Sequence, residues 1–291
     1  MSVPRSTYAD GWYTSLDGLR LHYRDYPGPA SRPALLCLGG LTRNARDFAG
    51  LAERLNGAWR VIALDLRGRG ESAHARDPLT YVPLTYLQDI GAALTDAGVD
   101  RFVVLGTGLG GVLALLLTVT QRSGFAGAIL NDVGPQPRPG GAAGGRAETV
   151  RGGNWPTWIH AARDLAQTYA ATYPGWTTAD WLAFAKRVAK LSTAGRIGLD
   201  HDARITAPFR LPGGDTGLDL WPAFAGLSGV PCLSLRGGLS ETLSPDTHLA
   251  MATLMPGLRR ATIPGVGHAP TLDEPEAVAA IDALLAEVAG L

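Results

Sequence analysis

The chain has 291 residues, 46% of them hydrophobic, with 26 basic and 26 acidic side chains, enough to bury one large core with or without a sizeable insertion. The even charge leaves no electrostatic footprint for nucleic acid or an anionic membrane, and no apolar run approaches the roughly 18 residues of a membrane span. The opening MSVPRSTYADGW lacks the apolar stretch of a secretion signal. Cys37 and Cys232 each sit in an apolar run (ALLCLGG, VPCLSLRG) and read as buried free thiols in a reducing cytoplasm.

In chain order, WYTSL, the Asp17-Gly18 pair and LRLHYRDY predict a β-hairpin. ALLCL predicts a buried strand and RDFAGLAERL a helix. RVIALDL is the next strand, and YLQDIGAALTDAG a helix closed by Gly98. FVVLGT then runs as a strand into the buried helix LGGVLALLLTVTQR. GAILNDV, VPCLSLRG and RATIPG are the remaining strands, with helices over PDTHLAMATLM and DEPEAVAAIDALLAEVAG. Strands alternating with helices imply a mostly parallel sheet covered on both faces.

The alternation breaks between Gly134 and about Ala225. A Pro/Gly-rich entry, GPQPRPGGAAGG, leads to helices expected around Trp158 to Tyr173 and Thr178 to Leu191. Trp155, Trp158, Trp176, Trp181 and Trp221, five of the seven tryptophans, fall in this segment, which has the composition of a helical insertion laid over the sheet.

In an open α/β sheet, ligands bind at the carboxyl edge of the strands. Four strand ends carry unusual residues: Gly39-Gly40-Leu41, the run DLRGRGES from Asp65, the corner GTGLGG around Gly108, and Gly265-Val266-Gly267-His268. The third is a sharp strand-to-helix turn of the kind that holds a nucleophilic serine, yet Gly108 occupies the position where the serine is expected.

The order GGL, DLRGRGES, GTGLGG, LRGGLSETLS, PGVGHAP resembles the α/β-hydrolase superfamily, in particular its bacterial esterase-like members with a helical cap, from about Gly11 to Leu285. The resemblance implies an eight-stranded, mostly parallel sheet with helices on both faces, a core of residues 1–134 and 226–291, and a cap of residues 135–225. The superfamily order of nucleophile, acid and base places Gly108 on the nucleophile position and His268 on the base. The acid then falls on Glu241, after the strand PCLSLRG, with Asp132 in LNDVGP as the backup. Backbone N–H groups of Leu41 and Leu109 correspond to the oxyanion hole. Arg43, Trp155, Trp158 and Trp181 are candidates for the substrate site, with Arg43 better suited to bracing its loop, and DLRGRGES is expected to tie loops together.

The resemblance implies a small, fairly apolar carboxylic ester as substrate, no cofactor and no metal; a homodimer is compatible with it. The histidines and cysteines are not at zinc-like spacing, and the hairpin and two strands ahead of GTGLGG set it apart from a dinucleotide loop opening the first βαβ unit. Without an Oγ at residue 108 no acyl-enzyme can form. Three readings follow: an ester hydrolase made inactive or nearly so at its nucleophile position, a non-covalent lyase, isomerase or hydratase using His268 as base, or a non-enzymatic ligand-binding homologue.

Overall fold

The computed structural model describes residues 7–136, 153–210 and 219–290; most of the Gly-rich entry to the insertion lies outside them. The strands, in chain order, are β1 (Ala9–Thr14), β2 (Arg20–Tyr26), β3 (Ala34–Leu38), β4 (Val61–Asp65), β5 (Phe102–Thr107), β6 (Phe125–Asn131), β7 (Ala189–Leu191), β8 (Ile197–Leu199), β9 (Cys232–Gly237) and β10 (Arg259–Ile263). The helices are α1 (Ala49–Arg54), α2 (Pro83–Asp96), α3 (Leu109–Thr120), α4 (Trp158–Tyr169), α5 (Thr178–Val188), α6 (Trp221–Ala225), α7 (Pro245–Leu254) and α8 (Pro275–Gly290).

Eight strands form one sheet in the order β1-β2-β4-β3-β5-β6-β9-β10. The β1–β2 hairpin is antiparallel, β2 joins β4 antiparallel, and all later pairings are parallel. Every residue of β3, β4, β6 and β9 is buried, as expected of strands covered on both faces. Alternate side chains serve the two faces. In β3, Leu36 and Leu38 join one core with Ile90, Leu113 and Phe224. Leu35 and Cys37 join the other with Phe48, Leu51, Ile281 and Leu284. The chain leaves β3 for β4 on one side and returns to β5 on the other. That reversal opens a crevice at the carboxyl ends of β3 and β5, where ligands bind in such sheets.

Three expected helices are shorter than their sequences suggest, and α4 ends at Tyr169, short of the expected Tyr173. RDFAGLAERL divides into a 3₁₀ turn at Ala45–Phe48 and the short α1, because the entry is held from outside: Asn44 caps Arg46, and the Ala45 amide donates to Asp65 at 2.7 Å. After α5, started by a Thr177/Asp180 capping box, Ala189–Leu191 pairs with Ile197–Leu199 as a hairpin instead of continuing the helix.

The run DLRGRGES ties loops together as expected. The Asp65 carboxylate accepts from His22 Nδ1, Ala45 N and Glu71 N. Arg67, 1% exposed, makes a bidentate pair with Asp89 and a second with Asp17. Arg69 is fully buried and donates to the Leu41 carbonyl at 2.8 Å.

The insertion is fastened to this framework by polar contacts. Arg69 and His201 form a β-bridge, Tyr81 donates to Asp202, Arg46 pairs with Asp200, and the Arg187 carbonyl accepts from Asn44 and Arg46. His201 sits in this seam, its Nδ1 buried without a hydrogen-bond partner among the described residues. Burial, with the nearby Arg69 charge, pushes its imidazole down to about 4. Between that value and the unfolded histidine's ~6.5, the unfolded chain binds the extra proton, so stability falls as pH drops through the window. His22 is shifted the other way. Burial opposes its charge, but the hydrogen bonds and charges of Asp65 and Asp10 outweigh it and raise its pKa, so it is charged in both states below about 6.5 and adds no slope there. Denaturant titrations should show wild type losing on the order of 2–3 kcal/mol relative to His201→Gln between pH 6.5 and 4. A constant difference between the two curves would contradict this.

Candidate active site

The site is built where β5 meets α3. Thr107 ends the strand, Leu109 begins the helix, and Gly108 between them has φ 52° and ψ −116°. Glycine enters this region with little strain, whereas another residue there costs on the order of 1–3 kcal/mol. The corner is tight for a second reason. The Gly110 amide donates to the Gly39 carbonyl at 3.1 Å, and a Cβ on Gly110 would collide with the Leu38 carbonyl. The start of α3 is therefore pressed against the turn after β3.

His268 follows β10 and reaches this corner. An ideal Cβ placed on Gly108 lies 3.3 Å from His268 Nε2 and 3.8 Å from Gly40 Cα, so any side chain at residue 108 would point at the imidazole. The other ring nitrogen, Nδ1, is 2.8 Å from Asp132 Oδ2. An ionised carboxylate only accepts, so Nδ1 carries the proton and Nε2 faces the elbow as the basic nitrogen.

The partner of His268 is thus Asp132, the backup of the sequence reading, and not Glu241, which is exposed. Asp132 is fully buried at the end of β6, with φ 54°, a backbone strain that asparagine and aspartate tolerate best among non-glycine residues. The loop after β9, expected to supply the acid, instead holds it. The Gly237 amide donates to Asp132 Oδ1 at 2.9 Å and the Ser240 hydroxyl to Oδ2 at 2.6 Å. The Ser240 oxygen in turn accepts the amides of Thr242 and Leu243.

Several residues that the sequence reading passed over brace the assembly. Asn131 donates to the Thr107 hydroxyl and to the Pro270 carbonyl, joining β5, β6 and the His268 loop. The insertion holds the same loop: Tyr173 donates to the Ala269 carbonyl at 2.8 Å, and Gly267 N to the Thr172 carbonyl at 2.7 Å. Position after a strand end flagged Asp132; nothing in the local sequence flags the tyrosine.

A cavity of about 70 Å³ lies beside His268, lined by Gly40, Thr42 and Arg43 from the β3 turn, Thr107, Asn131, and Tyr169, Tyr173, Phe184 and Arg187 from the insertion. Arg43 is in the lining as expected, and its guanidinium is held bidentately by Asp47 and stacked over Phe184 at 4.6 Å. Burial opposes its charge, but Asp47 outweighs that and raises its pKa. Trp155, Trp158 and Trp181 are not in the lining. Trp155 is buried and donates to Asp164. Trp158 packs at the edge of the second core. Trp181 stacks edge-on against Trp176 and Phe184, so these rings build the insertion while smaller aromatics face the cavity. The N–H groups of Leu41 and Leu109 donate to no atom among the described residues.

A model of the alpha/beta hydrolase family matches residues 35–281. The chain is 30% identical over 269 residues to a 3-hydroxybutyrate-oligomer hydrolase from Cupriavidus necator, covering 89% of this chain and 90% of that protein. It is 28% identical over 258 residues to a pimeloyl-[acyl-carrier protein] methyl ester esterase from Stenotrophomonas maltophilia, covering 85% and 90% of the two. Among solved structures, an alpha/beta hydrolase from Novosphingobium aromaticivorans superposes with a TM-score of 0.91 at 50% identity, covering 97% of this chain and 99% of that one.

Proposed function

Because the chain belongs to the alpha/beta hydrolase family, we propose that its site is that of an acyl-ester hydrolase with the nucleophile position occupied by Gly108. In this reading His268, oriented by Asp132, is the base. The Leu41 and Leu109 amides receive the charge that develops on the carbonyl oxygen, aided by the positive end of α3. The observation that carries the reading is the 3.3 Å from the Gly108 Cβ position to His268 Nε2, which puts an absent side chain in line with a histidine oriented by a carboxylate. Relatives named as an oligomer hydrolase and a methyl ester esterase support acyl transfer as the reaction class. The small cavity favours a small ester. Residues 135–225 act as the cap over it, since Tyr169, Tyr173, Phe184 and Arg187 share the lining with His268.

With glycine at residue 108 the covalent route is closed, so this chain turns esters over slowly or not at all. The intact Asp132–His268 pair favours one second reading, in which His268 moves a proton without covalent catalysis, in direct hydration or in a lyase or isomerase step. The cytoplasmic reading rests on the buried, unpaired state of Cys37 and Cys232. Both chemical readings share the base. His268→Ala should therefore lower any turnover of the chain, and all turnover of a Gly108→Ser variant, by at least ~100-fold. Steady-state rates retained in the alanine variant would reject His268 as the base.

A further inference from the structure

Arg187, one residue before the end of α5, lines the same cavity as His268. Its Nε is buried without a partner among the described residues. Its backbone carbonyl is used by Asn44 and Arg46, which fixes the end of the helix, but no described atom accepts from the guanidinium. Arg43, across the Phe184 ring, has its fork filled by Asp47. Asp273 is close enough to feel the Arg187 charge, but among the described residues the Arg187 Nε has no partner. The desolvated part of that fork is Nε, and a buried donor without an acceptor is unfavourable unless a ligand supplies one.

We propose that Arg187 is a carboxylate-binding residue, and that the ester taken by this site carries a free carboxylate on the arm that lies against α5. The inference rests on the ester-hydrolase reading for what happens at the other end of the molecule; the binding step does not. A single guanidinium fork matches a planar carboxylate with two parallel hydrogen bonds. A phosphate dianion would bring more charge than one unpaired fork can neutralise, with Asp47 already in the lining. Anchoring the carboxylate places the substrate's carbonyl by one fixed end, which in a small cavity is enough to orient it toward His268.

The test uses the chain with Gly108 in place, so that binding is read without turnover. The monomethyl esters of succinate, glutarate and adipate are each titrated against the matching dimethyl ester by calorimetry. At least one half-ester should bind about tenfold or more tightly than its diester, and the preference should shrink as salt is added. Arg187→Met, which keeps much of the apolar stem, should remove the preference, so that the half-ester to diester affinity ratio falls to about one. Arg187→Lys should keep part of it, as a charge without the fork. Unfolding midpoints within a few degrees of wild type confirm that the variants fold. Equal binding of all half-esters and diesters, or a preference that survives Arg187→Met, would overturn the proposal. Half-ester preference without hydrolysis in a Gly108→Ser chain leaves the subsite standing and removes the esterase reading; hydrolysis of diesters and half-esters at equal kcat/KM does the reverse.

Discussion

Gly108→Ser should convert the chain into an active esterase. Nitrophenyl acetate and butyrate, hydrolysed slowly or not at all by the parent, should be turned over at least ~10³-fold faster, toward the ~10⁶ that a triad residue contributes in a serine hydrolase. A fluorophosphonate probe should label the variant and not the parent. The gain is expected to be large because the rest of the machinery is already placed. The Gly108 corner has a positive φ of 52°, the Cβ position faces His268 Nε2 at 3.3 Å, and Asp132 fixes the tautomer from the far side of the ring. That spacing is a few tenths of an ångström tighter than most Cβ contacts, so the imidazole tip must yield slightly. The same substitution should destabilise the protein by about 1–2 kcal/mol, because the strain of a side chain at this φ exceeds the entropy removed from the unfolded chain. Activity gained with stability lost is the signature of a preorganised site lacking one hydroxymethyl group. A folded variant that neither reacts with the probe nor cleaves esters would eliminate the hydrolase reading and favour proton transfer without a covalent step. Substantial ester turnover by the parent would refute the need for a nucleophile at residue 108.

The elements that the sequence announces clearly are those whose pattern is set by local burial. β3, β4 and β6 are continuous apolar runs because both of their faces are covered, and the Gly98 stop of α2 is a backbone requirement, with φ 61°. His268 and the Gly108 corner are legible for a similar reason: strand ends and glycine turns mark them. What the sequence conceals is set by contacts distant along the chain. RDFAGLAERL has helical periodicity, but Asp65, from the next strand, holds the Ala45 amide just ahead of it. The tryptophans of the insertion look like a ligand pocket, yet Trp176 and Trp181 pack on each other and Trp155 and Trp158 pack into the second core, leaving Tyr173 and Phe184 to face the cavity. Arg187 reads as an ordinary basic residue in the last turn of a helix, and only the packing reveals that its fork has no acceptor. The acid is hidden in the sequence, because two loops offer a carboxylate and only three-dimensional register separates them.

Register favours Asp132 and makes a sharp expectation. In the Gly108→Ser background, Asp132→Asn should lower kcat on the order of 10⁴-fold, the scale seen when the orienting carboxylate of a triad becomes an amide and the histidine adopts the wrong tautomer. Asparagine tolerates the positive φ of this position, so the backbone is retained. The amide has one acceptor oxygen where the carboxylate has two, and it must serve Gly237 N and Ser240 Oγ as well as the ring. One of these donors therefore loses its acceptor, with a stability loss of about 1–3 kcal/mol. Glu241→Gln in the same background should change kcat no more than a few-fold and stability by less than about 0.5 kcal/mol, as for an exposed side chain without partners in the core. Ser240→Ala falls between them, since it removes one hydrogen bond from Asp132 but leaves the charge; its rate loss should be nearer tenfold, and the pH profile of kcat should shift because the carboxylate is less firmly held. If Glu241→Gln abolishes turnover while Asp132→Asn leaves it intact, the loop after β9 supplies the acid. The close contact between Asp132 and His268 would then be a structural brace for the imidazole.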